Sequence, residues 1–491
     1  NDGETKYFIK SDFNAKHWAI LEQKVNCLTF ELRTSLYIDL NAFNSTAKND
    51  RYWDIIALNW FNRIVRILFY KHSLISELNE TYPNALFHIE DTELSVLNMH
   101  LSSEIFQKCE MESWNSALFK FILHEMGVKY KKHSVDMGRD YKVKPHKFKA
   151  HVYHTIKFIL NRLNYFNRSY ILASYLPKKY ELLLNFLNFQ FPTFKIEHKG
   201  PFEEAELNIK RRTMLIGQSL NLNCEFNRIV RKILPHLVPS VFLENYNVTR
   251  DHVINQTYPK QPTFIFTSNA YDSDDYFKIY AAEKVENGTK YYIGQHGNFF
   301  NTPLLEASLA IPELHFSDKY LTWGNIVPAH KNMVTVFPFT LLGQKKAQCN
   351  KNIPVNNVII IMEPKKLNRY TWDVVRQYNV YLERLLEFHA RTLDLNMNFI
   401  LRPHNTFWSD ETLVKWAKEN LHNFSIEPPS KKKSYDYHQN TLLLFTYDST
   451  GITEALALGK RVIAFWEPNH HIVYSKLEEM YGELYKNNIF F

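Results

Sequence analysis

The strongest constraint on this chain is a series of short apolar runs, each closed by a polar or glycine-bearing turn, with helical stretches between them. Residues 263–267 (TFIFT), 290–293 (KYYI) and 320–323 (YLTW) form one block; residues 358–362 (VIIIM), 398–401 (NFIL), 442–445 (LLLF) and 462–465 (VIAF) form a second. Runs this short, rich in β-branched and aromatic residues, have the length of buried strands rather than helices. Residues 372–391 and 412–420 carry helical spacing between the later runs. Strands alternating with helices build parallel sheets, so two such blocks predict an α/β fold of two Rossmann-like units facing each other across a cleft. The first half reads as mainly helical. Apolar residues recur three and four apart over 52–70 (YWDIIALNWFNRIVRILFY) and again over 152–163, while 169–175 and 194–197 have the length of strands. The expected division is a first unit over 1–342, helix-rich over 1–165 and with strands to about 325, a polar linker over 343–357, and a second unit over 358–491.

The length of 491 residues agrees, since one domain is expected for roughly 150 residues. With 45% hydrophobic residues, including 36 Phe and 29 Tyr, global disorder is excluded. The net charge of +8 suits an anionic substrate or lipid surface. It is dispersed: Lys431-Lys432-Lys433 lies in a Pro- and Ser-containing loop, and the clusters at 129–133 and 142–149 can face membrane phosphates. Without a dense basic arm, no nucleic-acid partner is expected. Cys27, Cys109, Cys224 and Cys349 are too scattered for a zinc knuckle or a disulfide framework. That cysteine usage fits a reducing cytoplasm, where peripheral contact at the inner membrane face is expected; no apolar run approaches the roughly 20 residues of a spanning helix.

Three strand ends carry residues suited to chemistry. Residues 447–456 (YDSTGITEAL) turn from an apolar run into a helix. The N–H groups there, with Ser449, Thr450 and Gly451, suit a phosphate, although an ordinary N-cap by Asp448, Ser449 or Thr450 uses the same residues. Glu454, one turn on, can accept from a ribose hydroxyl or simply face solvent. Residues 401–405 (LRPHN) place Arg402, His404 and Asn405 after another run, where a guanidinium fork and an imidazole can grip phosphate; a plain loop histidine is the alternative. In Gly294-Gln295-His296-Gly297-Asn298 the glycines allow close backbone approach, and His296 can serve as a general base, or the segment can be only a tight turn. Ser268, Asn269, Gln295, Gly297 and Asn298 are expected to line the cleft. Asp272-Ser273-Asp274-Asp275 can bind a divalent cation or favour a helix N-terminus; no metal is expected, and Asp275 and Glu306 are the reserve bases.

The order GQHG with Thr302-Pro303-Leu304, then LRPHN, then TYDSTG with Glu454 and Gly459-Lys460 resembles that of CDP-glycerol glycerophosphotransferases and bacterial sialyl- and polysialyltransferases. A closer resemblance, extending over nearly the whole chain, is to a transferase family of O-antigen and other surface-polysaccharide loci. It is carried also by residues 50–56 (DRYWDII), Phe242-Leu243-Glu244, Ser317-Asp318 and Thr322-Trp323-Gly324. One departure is Pro403-His404, where the sialyltransferase pattern is His-Pro. The resemblance implies a GT-B glycosyltransferase with no cofactor beyond its nucleotide-sugar donor. That donor would be CMP-linked to a nonulosonate or Kdo-like acid, and the acceptor an oligosaccharide or lipid-linked glycan. On this reading His296 deprotonates the acceptor while Arg402, His404, Ser449 and Thr450 hold the departing phosphate. A CDP-alditol phosphotransferase or a non-catalytic glycan-binding scaffold are the alternatives.

Overall fold

The computed structural model describes residues 15–134, 163–193, 207–216, 224–297, 312–323, 331–346, 352–362, 375–404, 411–428, 433, 436–447, 449–465, 478–487 and 489. The helical first part begins with α1 (Ala15–Asn44). The periodicity of 52–70 is realised as one run: Asp50–Trp53 is α-helical, Asp54–Leu58 is a π turn, and α2 (Asn59–Thr81) continues it. The π turn is wholly buried, and its carboxylate is tolerated because Asp54 accepts two bonds from Arg33 Nη1 (2.7 and 2.8 Å) and one from Tyr37 (2.8 Å). Trp53, Trp60, Trp114 and Tyr246 are fully buried in the large core that this run forms with α3 (Glu112–Glu125), α5 (Glu225–Leu237) and α6 (Tyr246–Ile254). A two-stranded parallel pair, β1 (Phe87–Glu90) with β2 (Tyr130–His133), lies at its side.

The first large sheet has the order β3 (Ser169–Leu172), β4 (Phe264–Thr267), β5 (Lys290–Gly294), β6 (Lys319–Trp323), β7 (Met333–Val336), all parallel. Side chains alternate as a pleat requires. Tyr170, Ile265, Tyr291, Ile293 and Tyr320 join the helical core, with α7 (Asp275–Glu286), and Ile171, Phe266, Tyr292 and Leu321 face Phe339 on the other side. The fifth strand, β7, lies beyond residue 325, where the strand series was expected to stop. It lies at the edge of the sheet, with Val334 and Thr335 exposed. The expected elements at 152–162 and 194–197 lie outside the described residues.

The second sheet contains β8 (Asn357–Ile361), β9 (Asn398–Arg402), β10 (Ser425–Ile426), β11 (Thr441–Phe445) and β12 (Arg461–Ala464). Its spatial order is β10-β9-β8-β11-β12, again all parallel. The helices cover both faces. Val358, Ile360, Phe399 and Leu401 pack with Leu385 of α8 (Val375–Thr392) and Ala417 of α9 (Glu411–Asn420). Ile359, Leu443, Phe445 and Val462 pack with Ile452 and Ala455 of α10 (Thr450–Ala457). The winding direction reverses between β8 and β11, which in open α/β sheets opens the ligand crevice at the carboxyl ends of those strands. Among the described residues no helix is long and apolar enough to cross a membrane.

Candidate functional site

The turn after β5 is held rigidly from below. A Cβ on Gly294 would stand 2.5 Å from Ser268 Oγ and 2.7 Å from Phe339, so only glycine fits beneath the turn. Gln295 is buried: its backbone N–H donates to the Leu321 carbonyl (2.9 Å), its side-chain oxygen accepts from Trp323 N (2.7 Å), and its Nε2 donates to the Gly297 carbonyl (2.7 Å). Gln295 therefore shapes the turn from inside. Ser268 is likewise buried, its hydroxyl donating to the Ser174 carbonyl (3.0 Å). Asn269 is half-buried, with its backbone N–H on Thr267 Oγ1 (3.2 Å).

His296, at the top of this turn, is half-buried between Tyr175 and Tyr271, with ring centroids 5.9 and 6.2 Å away, and its Nδ1 lies 3.4 Å from the Tyr271 hydroxyl. Burial lowers its pKa below the usual 6.5; the Asp272 charge opposes that, Arg63 adds to it, and the Ser268 backbone opposes it. The net effect keeps the imidazole neutral at physiological pH, the form a general base needs. Tyr175 and Ala173 both adopt left-handed backbone (φ 62° and 50°), a cost of about 1 kcal/mol or more each that tends to gather at functional sites.

The acidic segment after β4 is divided among separate partners. Arg63 of α2 grips Asp272 with two bonds of 2.7 Å. Burial raises the Asp272 pKa, but Arg63 outweighs it and the net shift is downward. Asp274 caps α7 by accepting from Phe277 N (3.1 Å). Asp275, 3% exposed, accepts from Ser102 N (2.7 Å), Ser102 Oγ (2.5 Å) and Lys278 Nζ (2.5 Å). The three carboxylates thus do not converge on one point, and no group of three or more His, Cys, Asp or Glu among the described residues is placed to hold a metal ion. The structure adds an acid that the sequence reading missed. Glu313, in the short helix Pro312–Phe316, interacts with the Tyr271 hydroxyl, and burial, aided by the Asp272 charge, pushes it up to about 7. Glu306, Asn298 and Asn405 lie outside the described residues.

On the second sheet, β9 ends in Arg402, whose Nη1 donates to the Tyr437 hydroxyl (2.8 Å) while its guanidinium stands 5.5 Å from that ring. Tyr437 in turn donates to Glu427. His404 is exposed two residues on. Beyond β11, Ser449 is the N-cap of α10, its Oγ accepting from Gly451 N (3.1 Å) and its carbonyl from Ile452 N (2.9 Å). The cap stands at the winding reversal between β8 and β11, and the Arg402 end of β9 flanks β8 on the other side. Glu454 is 8% exposed rather than solvent-facing and accepts from Thr340 Oγ1 (2.5 Å), in the short helix Phe339–Leu341 that follows β7.

Two contacts bring the halves of the site together. Thr340 meets Glu454, and a Cβ on Gly297 would lie only 3.3 Å from Thr450 Oγ1. The His296 turn and the capped end of α10 therefore approach each other closely.

The family model described as LIC12162 family transferase matches residues 14–491. No curated protein and no solved structure matches the chain.

Proposed function

We propose that this chain, which belongs to the LIC12162 family of transferases, moves a glycosyl group from a nucleotide sugar to an acceptor hydroxyl between two facing units of the GT-B kind. The acceptor oxygen gives its proton to His296 and attacks the anomeric carbon; the bond from that carbon to the phosphate oxygen breaks, and the nucleotide leaves with the electron pair. The negative charge that develops is met by the N-terminus of α10, Ser449, Thr450, Arg402 and His404. The donor is a CMP-activated acidic sugar, the product a surface polysaccharide, the displacement inverting and independent of metal. The observation that supports this reading is the close approach of Gly297, the neighbour of His296, to Thr450 at the N-terminus of α10.

The test is a thermal-shift comparison of CMP, CDP, UDP, GDP and dTDP with and without EDTA. A ligand at a hundred times its Kd stabilises the folded state by about 2.7 kcal/mol. CMP should raise Tm in EDTA and lose that effect in His404→Ala. Stabilisation by UDP or GDP that requires a divalent ion overturns the reading. A phosphodiester in the product, with CMP released, assigns alditol-phosphate transfer instead.

A further inference from the structure

We propose that the outward face of α4 (Lys178–Leu187) and the turn after it form a surface that inserts into an anionic phospholipid membrane. A helix packed on a globular core keeps polar residues on its solvent side. Here the inward positions are Leu184, which packs on the first sheet, the buried Asn185, and Glu181, whose carboxylate accepts from Ser174. The outward positions are Leu182, Leu183, Phe186 and Leu187, with Phe186 at 75% and Leu187 at 64% exposure. Phe189 follows at 95% exposure with φ 53°, a left-handed backbone that a bulky residue adopts only at a cost.

The turn holding these rings is clamped to the chain before β3. Gln190 Oε1 accepts from Arg168 N (2.6 Å) and Ser169 N (3.1 Å), and Asn167 exchanges two 2.9 Å bonds with Phe191. The clamp sets the turn beside Phe166, itself 72% exposed. Exposed apolar side chains carried on two segments pinned to each other suit a contact surface better than scattered exposed residues do.

The charge around it selects the partner. Lys178 and Lys179 open the helix, Arg168 is exposed in the clamped segment, and Lys260 lies 5.6 Å from the ring centre of Tyr165. The only acid in α4, Glu181, is turned inward. An apolar face rimmed by cations suits the boundary between anionic headgroups and acyl chains, and ten residues are enough to lie in that boundary but too few to cross a bilayer. The position is also apt: the Ala173–Leu176 connection runs from β3 past His296 to α4, so a membrane on this face lies beside the His296 turn.

The experiment is co-sedimentation of the full chain with phosphatidylcholine vesicles and with vesicles that also contain phosphatidylglycerol. The wild type should bind the second kind and lose that binding as salt rises. Phe186→Ser with Phe189→Ser should weaken binding at least tenfold, and Lys178→Gln with Lys179→Gln by about fivefold for each charge removed. A cooperative thermal unfolding transition at an unchanged Tm in both variants would show that they remain folded. No binding by the wild type, or binding indifferent to the two Phe replacements, overturns the proposal. So does a wild-type dimer in sedimentation velocity that the Phe variant dissociates, which assigns the face to a second copy of this chain.

Discussion

Glu313→Gln tests the raised carboxyl that meets Tyr271. Burial and the Asp272 charge move the Glu313 carboxyl from 4.5 to about 7, while its hydrogen bond with Tyr271 pulls the other way. At about 1.4 kcal/mol for each tenfold change in proton affinity, the charged form costs the fold about 3 kcal/mol. Below pH 4.5 both folded and unfolded chains hold the proton and nothing is lost. As pH rises from there to about 7, the unfolded chain releases the proton first, so stability falls. Above that the full penalty persists. A glutamine keeps an acceptor for Tyr271 and cannot ionise. Relative to wild type, the variant should therefore gain about 2 kcal/mol between about pH 5.5 and pH 8.5, the part of the penalty that falls in that window. At this chain length the gain is a Tm difference of about 2 to 3 °C, opening with pH in scanning fluorimetry. Stability curves that run parallel for the two proteins would refute the raised pKa of the Glu313 carboxyl.

His296→Ala should reduce turnover by at least a hundredfold while leaving CMP-induced stabilisation intact; loss of donor affinity with unchanged turnover removes His296 from the base role. Because burial lowers the imidazole pKa, kcat/KM should rise with pH and level off below pH 6.5. Asp272→Asn, which removes the charge that favours the imidazolium and leaves Arg63 to oppose it, should move that limb to still lower pH. An acidic limb above 6.5 contradicts both statements. Gly343→Ala should cost about 2 kcal/mol or more, seen as a fall in Tm, since Gly343 has φ 76° and a Cβ there would stand 1.9 Å from the Tyr180 hydroxyl of α4; an unchanged Tm would mean that this approach is not made.

Most of both large sheets was legible because parallel strands buried on two faces are written as uninterrupted apolar runs. Residues 358–362 and 442–445 could be read from the sequence without knowing their neighbours. β7 and β10 were missed for the converse reason: at a sheet edge one flank is open, and MVTV or the two residues Ser425–Ile426 need carry no such signal. The π turn in the 50–81 run was invisible because its apolar spacing still fits a helix, and what marks it is the pairing of Asp54 with Arg33 and Tyr37 from α1.

The candidate site divides in the same way. Residues at strand ends could be found from sequence, because a polar turn after an apolar run has a fixed place in a parallel sheet: hence His296, Arg402, His404 and Ser449. The groups that set their chemistry could not. Arg63 reaches Asp272 from 209 positions away, Thr340 reaches Glu454 across 114, and Glu313 meets Tyr271 only because two separate connections fold onto one face of the turn. Local pattern therefore places polar side chains at the strand ends, while their protonation depends on tertiary contacts. The Asp272–Asp275 run shows the consequence. On sequence it suits a cation as well as a helix start, and the partners that divide it, Arg63, Phe277 N and Ser102 with Lys278, include groups from two distant segments. With its carboxylates engaged separately, the segment acts on the site through charge: Asp272 opposes the fall in the His296 pKa and reinforces the rise in that of Glu313, so a single carboxylate, itself held by Arg63, biases both titrations.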